Sequence, residues 1–333
     1  MAGLVAAARA RELGTEPVIY EKGTRAGGSM LLSSGFVFRY RSLDVHLEQC
    51  PGADGRLART IVEQFDDSLD WLESLGVELL TRETGNPLTV GGRFDPRQLV
   101  ALLGRAARLG ETTDTPAILA TGGFPARLAR DRGLMLRANP WSEGDGLELA
   151  RAQGAAHVGD LDEFYGRAMP AAASIAEGDF VRTTQLYGRY ATVTSKDGSE
   201  RFDGDPSWSE ADLVQQIARW PEGLAWYIVD ASDLGQRVRE RTVREMIEAA
   251  REAGAPVHDD GANVRVLVRA SVTQTIGGIR IDEKTRVLDE GGEPIEGLFA
   301  AGVDAGGWAT GGYASGLAAA LVFGRIAAES ALA

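Results

Sequence analysis

The chain has 333 residues, 44% of them hydrophobic and 25% charged, enough for a real core and for two domains. A formal net charge of −13 leaves no basic face for a phosphate backbone, so nucleic acid is excluded as an expected partner. One cysteine, Cys50, excludes an intrachain disulfide and any cysteine-based zinc or iron–sulfur site, and fits a reducing cytoplasm.

Residues 2–13 are rich in Ala, Leu and Arg and read as a helix, with Gly14 as its stop. Arg9 and Arg11 interrupt its apolar character and no cleavage-site pattern follows, so it is not read as a signal peptide. "PVIYE" is a short β-branched and aromatic run, the pattern of a buried parallel strand, and it ends at Glu21. In "TIVEQFDDSLDWLESLG" the residues Ile61, Phe65, Leu69 and Leu72 recur at helical spacing. "FDPRQLVALLGRAARLG" reads as a second amphipathic helix, entered through Asp95 and Pro96 and running to Gly110. "PAILATGGF" is a strand running into a double glycine, and "SEGDGLELARAQGA" a loop opening a helix.

From about residue 161 the character changes. Residues 161–271 hold most of the tyrosines, many turn signals, and what reads as one long charged helix around "RVRERTVREMIEAAREAG". Its charges suit a solvated face. Short strands and glycine turns return at "TIGGIRID" and lead through "GLFAAGVDAGG" to a closing helix, "SGLAAALVFGRIAAESALA". The longest late apolar stretch, "GLAAALVF", is far below the roughly 20 residues of a membrane span. His46, His157 and His258 are scattered without metal-ligand spacing, so no metal is expected. This order predicts an α/β nucleotide-binding domain, residues 1–160 and 272–333, interrupted by a smaller α+β domain, residues 161–271.

In a dinucleotide fold, a glycine turn places a helix N-terminus at a pyrophosphate, and an acid about twenty residues on accepts the ribose hydroxyls. Gly3 fits the third glycine of that turn and Glu21 the acid, while the first two glycines do not appear. The expected domain is therefore Rossmann-like with its first strand missing, and whether the true start lies upstream of Met1 stays open. Five stretches then follow in order: "YEKGTRAGGSMLLSSG", "ILATGGF", "GDGLELARAQGA", "TIGGIRIDEKTRVLDEGGEPIEGLFAAGVDAGG" and "SGLAAALVFGRIAAESA". Together they resemble the FAD-binding domain of the fumarate reductase and succinate dehydrogenase flavoprotein family, which includes 3-ketosteroid and tricarballylate dehydrogenases.

The resemblance implies noncovalent FAD, since no histidine stands beside the first glycine pair, in a domain split by a cap, with the isoalloxazine ring at their junction. By motif, Gly3 would lie at the first helix, Glu21 would hold the adenosine ribose with Lys22 beside it, and Gly27, Gly28 and Ser29 would approach the pyrophosphate and flavin. Thr121 and Gly122 would line the cofactor after their strand. Gly302 and Asp304 would meet the ribityl region, and Ser315, Gly316 and Leu317 would offer amides at the N-terminus of the last helix, where reduced flavin gathers negative charge. Against the family pattern the chain is shortened at "ETTDT" and again between "AREAGAPV" and "VRASVTQTIGG".

The family's fumarate reductases clamp two carboxylates with histidines and arginines. Here the matching positions fall at or near Gln274, Gly311, Ser209 and Met169. Two carboxylates without cations would lose hydration uncompensated, so fumarate and succinate are poor candidates and an apolar or steroid-like small molecule is expected. Tyr165, Arg189 and Tyr313 are the candidates for moving a proton, although packing or surface exposure is the commoner role for tyrosines such as Tyr165, Tyr187 and Tyr190. The expected reaction is hydride transfer between a substrate C–C bond and flavin N5. The alternative is a flavin-free remnant that keeps the scaffold as a binding module. A NAD-dependent dehydrogenase fits less well, because the "GLFAAGVDAGG" pattern belongs with FAD.

Overall fold

The computed structural model describes residues 1–104 and 118–333, together with the backbone of the strand Ala107–Leu109. The "ETTDT" link lies outside the described residues. The chain divides into two compact units, one of Met1–Pro125, Ala138–Glu163 and Gln274–Ala333, the other of Ala126–Arg137 and Phe164–Thr273.

In the first unit the opening helix Ala2–Glu12 packs on the closing helix Gly316–Ala331. Their approach is close: a β-carbon at Gly324 would lie 2.8 Å from the Ala2 carbonyl oxygen. Small residues on both helices make this possible, with Ala2, Ala6, Ala7 and Ala10 buried on one and Ala319, Ala320, Ala327 and Ala328 on the other. The helix Gly55–Ser74 buries Leu57, Ile61, Phe65, Leu69 and Leu72 along one stripe, each contributing about 1.5 to 3 kcal/mol. Asp54 caps it by accepting the Arg56 amide at 2.8 Å. Phe36–Tyr40, Thr89–Phe94 and Leu79–Thr81 form an antiparallel sheet with Thr89–Phe94 central.

Ile118–Leu119 pairs in parallel with the end of Pro294–Ala300, whose other edge pairs with Arg286–Leu288. The strand read from "PVIYE" is Ile19–Glu21 and is parallel, but it is not buried: Tyr20 is 41% exposed and Ile19 and Glu21 are half-buried. Among the described residues it is paired along one edge only, by Ala107–Leu109. That partner also corrects the second amphipathic helix. Asp95 caps it as expected, yet it spans Pro96–Leu103 and ends at Gly104, because the chain from Ala107 is drawn into the sheet.

The second unit is built on the long strand Asn263–Thr275, which pairs with Leu224–Asp230, Val257–Asp259, Met135–Leu136 and Phe164–Pro170, while Ala191–Ser195 extends the sheet beyond Leu224–Asp230. Met135–Leu136 pairs in parallel with Ser271–Val272, which is why Ala126–Arg137 belongs to this unit although its composition resembles what precedes it. A β-carbon at Gly166 would lie 1.8 Å from the Ser271 carbonyl oxygen, so glycine is required where these strands meet. The long charged helix is a correction as well. Arg237–Val238 and Arg241–Thr242 form a small hairpin, and only Val243–Glu252 is helical. Thr242 and Glu245 close a capping box, each side chain accepting the other's amide, and this fixes the helix start.

Candidate dinucleotide site

In the first unit one buried carboxylate organises the turn that follows Ile118–Leu119. Asp304 follows the strand Pro294–Ala300 in a short 3₁₀ turn and is 2% exposed. Its oxygens accept the Thr121 amide, the Thr121 hydroxyl at 2.9 Å and the Gly123 amide at 2.8 Å. Burial holds this carboxyl above the usual carboxylate range, opposed by the Gly123 and Thr121 donors. The Thr121 hydroxyl also accepts the Gly146 amide at 3.2 Å, at the start of the helix Asp145–Ala152, and the Thr121 carbonyl accepts from the Ser142 hydroxyl at 3.3 Å. Asp304 therefore fixes the turn after Ile118–Leu119 and ties it to the next helix.

The start of the opening helix lies against this turn. A β-carbon at Gly3 would touch that of Ala120 at 3.4 Å, and one at Gly302 would come within 2.9 Å of Ala2. One oxygen of Glu21 accepts the Gly23 amide at 2.8 Å, and Trp141 closes over Gly23 so tightly that a β-carbon would sit 2.8 Å from its ring. Lys22 pairs with Asp145 at 2.9 Å in solvent. Gly27 caps the 3₁₀ turn Gly28–Leu32 at φ 105°, a left-handed conformation, with Val100 packed 2.5 Å from where a β-carbon would stand. The Ser29 hydroxyl accepts the Asn139 amide at 2.9 Å.

At the closing helix, Ser315 is the N-cap and accepts the Ala318 amide at 3.3 Å, Gly316 opens the first turn, and Leu317 is half-buried. The Gln274 side chain lies against this turn, its Oε1 2.2 Å from where a β-carbon on Gly316 would be. Gln274 Nε2 and Thr275 Oγ1 are buried without a hydrogen-bond partner among the described residues, and Thr275 Oγ1 faces Gly123. The loop before the helix is pinned from several sides. Glu163 accepts the Gly311 amide at 2.8 Å, and the Tyr40 hydroxyl donates to the Tyr313 carbonyl at 2.6 Å. His46 Nε2 lies 2.8 Å from the Trp308 carbonyl, the neutral tautomer donating there; burial lowers its pKa, opposed by that bond. Cys50 is fully buried, its sulfur 3.2 Å from where Gly312 would carry a β-carbon. Burial pushes its thiol up to about 12, with the Glu163 charge adding and the Tyr313 backbone opposing.

The proton candidates are divided between the units. Tyr313 is half-buried in the first, its ring edge-on to Phe38 at 6.2 Å. Tyr165 and Arg189 belong to the second. Tyr165 is buried on Phe164–Pro170 with the Arg167 guanidinium 5.0 Å from its ring centre, whereas Arg189 is exposed and stacks on Trp208 at 3.9 Å. Residues that the sequence reading passed over include Gly23, Asn139, Ser142 and Gly146. For the last three the signal was the close run of Asn, Ser and Gly in "ANPWSEGDG".

An acid at a strand end, left-handed glycines, a turn fixed by a buried aspartate, and unpaired donors beside a helix N-terminus are what an extended nucleotide with a polar ring requires. This architecture is that of an α/β dinucleotide-binding protein. The chain belongs to the FAD binding domain family, whose model matches residues 1–114 and 104–318. It is 49% identical over 63 residues to the NADH:acrylate oxidoreductase of Vibrio harveyi, a match covering 18% of this chain and 6% of that protein. It is 23% identical to the "Probable fumarate reductase Ifc3" of Shewanella frigidimarina, over 99% of this chain and 73% of the relative. Two of the solved structures that share its fold show the range. One is a flavocytochrome c3 fumarate reductase in an open conformation, with a TM-score of 0.71 at 22% identity, covering 99% of this chain and 76% of that one. The other is the 3-ketosteroid-delta4-(5alpha)-dehydrogenase of Rhodococcus jostii with 4-androstene-3,17-dione, with a TM-score of 0.69 at 18% identity, covering 99% and 94%. Among the described residues, no helix is long and apolar enough to cross a membrane.

Proposed function

We propose that this chain is an FAD-dependent oxidoreductase that adds or removes hydrogen across a carbon–carbon bond of a small neutral molecule. The observation that carries this reading is the turn Thr121–Gly123 fastened to Asp304, standing with Gly3, Glu21 and the Gly316 helix start in one compact unit. Glu21 would accept the ribose hydroxyls, the amides of the Gly27–Ser29 turn would meet the phosphates, and the first amides of the closing helix would meet the pyrimidine edge of the ring. Bound FAD supplies hydride transfer at its N5 atom. Asp304 serves by holding its turn, since its oxygens are already occupied by protein donors.

We read residues 1–160 and 272–333 as the cofactor-holding part and 161–271 as the part that supplies proton-handling groups. Tyr313, Tyr165 and Arg189 would exchange the proton that accompanies the hydride, with the Arg167 guanidinium stacked over the Tyr165 ring. Gln274, Gly311, Ser209 and Met169 bring no cation, which argues against a dicarboxylate and for a neutral, apolar substrate of the steroid kind. Relatives named as an acrylate oxidoreductase, a fumarate reductase and a 3-ketosteroid dehydrogenase support redox chemistry on a carbon skeleton.

Titration of the purified chain with FAD, followed by flavin absorbance and fluorescence, tests this directly. Yellow protein that keeps its flavin through gel filtration and bleaches with dithionite is expected. The Asp304→Ala chain leaves the Thr121 and Gly123 donors without their acceptor and is expected to bind roughly tenfold more weakly or worse. Folded protein that stays colourless at saturating FAD would overturn the proposal.

A further inference from the structure

The second unit encloses a group of polar side chains for which the candidate site has no use. Tyr187 and Tyr227 are fully buried, their rings meet edge to face with centroids 5.4 Å apart, and neither hydroxyl has a partner among the described residues. Glu210, 3% exposed, accepts the amide of Gly188, the residue after Tyr187, on Oε1 at 2.8 Å and leaves Oε2 unpaired among the described residues. The backbone at Glu210 is left-handed, φ 53°, which is unfavourable for any residue with a β-carbon. The chain accepts this conformation and turns the carboxyl inward rather than to solvent.

The charged neighbours are few. Arg167 is buried and donates to the Ser209 carbonyl; Arg189 and Asp212 act on Glu210 from farther out. Burial raises the Glu210 carboxyl to about 7, with Arg167, the Gly188 amide and Arg189 opposing and Asp212 adding. Burial, and then the Glu210 charge, push both phenols well above their ordinary range.

Three buried oxygens with unused hydrogen-bonding capacity in one cluster require a guest that can both donate and accept. A cation is disfavoured by Arg167, and no group of three or more His, Cys, Asp or Glu gathers among the described residues. An apolar guest would leave every oxygen unpaired. Water has the right size and both hydrogen-bonding senses. We propose that Tyr187, Tyr227 and Glu210 line an internal water site of the second unit, at which bound water bridges the two phenol hydroxyls to the Glu210 carboxyl. With Glu210 protonated, Oε2–H donates to the water and the water donates one hydrogen to each phenol oxygen, so that every member of the cluster is paired. The site is independent of the redox reading, and its test does not involve FAD.

Urea unfolding of the full chain is compared with Tyr187→Phe, Tyr227→Phe and the double variant. If water bridges the hydroxyls, each substitution lowers the folding constant roughly five- to thirtyfold. Unchanged or greater stability marks dry, unpaired hydroxyls and overturns the proposal. The infrared carboxyl band of Glu210, assigned by its loss in Glu210→Gln, is expected to move in Tyr227→Phe; a band that stays fixed counts equally against the bridge. Should Glu210→Gln fail to fold, the tyrosine variants alone decide.

Discussion

Asp304 and Glu210 are both buried carboxyls, and the chain treats them in opposite ways. Asp304 meets donors from Thr121 and Gly123 on both oxygens, whereas Glu210 receives a single protein amide and stands near a guanidinium. The Glu210 carboxyl titrates near 7 in the folded chain against an ordinary 4.5. Between these values the folded chain keeps a proton that the unfolded chain has released. Its contribution to stability is therefore full below 4.5 and is lost as pH rises towards 7. The unfolding free energy of the native chain, measured against Glu210→Gln in urea, should decline across that window by on the order of 3 kcal/mol. A pH-independent difference would refute the assignment. His46 acts in the other direction, its stabilisation being lost as pH falls below 6.5, and it cancels because both chains carry it.

Among the elements, the helix Val243–Glu252 shows how local chemistry overrides a charge pattern. Its buried face of Met246, Ile247 and Ala250 continues the apolar spacing of a longer run, but the Thr242–Glu245 box sets the boundary. Thr242→Ala is expected to cost about 1 kcal/mol, seen as a lower thermal midpoint without a change of fold. The signal for that start, Thr-x-x-Glu, stands in the sequence, but the charge pattern around it read as one longer helix. The end at Leu103 was less so: Leu99 and Leu103 are buried as the helical spacing requires, and the strand that follows exists only because Ile19–Glu21 pairs with it. The exposure of Tyr20 has the same origin, for burial of a strand depends on neighbours that its own five residues cannot specify.

Over the whole molecule, the features written in glycine and in order were readable. Five motifs in order carried the family assignment without any coordinates, and Glu21, Gly27, Thr121, Asp304 and Ser315 fall in four of them. Asn139, Ser142 and Gly146 come from a loop with no periodicity, and the edge-to-face contact of Tyr187 with Tyr227 joins a loop residue to a strand far along the chain. The chain's single thiol offers a further consequence. Cys50 is sealed beneath the Gly311–Tyr313 loop, and a sulfur that titrates near 12 is almost wholly un-ionised in neutral buffer. An alkylating reagent should therefore leave the native protein unmarked and tag it only when that loop lifts or the chain unfolds. Mass spectrometry of the labelled fraction over time then serves as a stopwatch for that opening, and labelling as fast as in urea would show the seal to be absent.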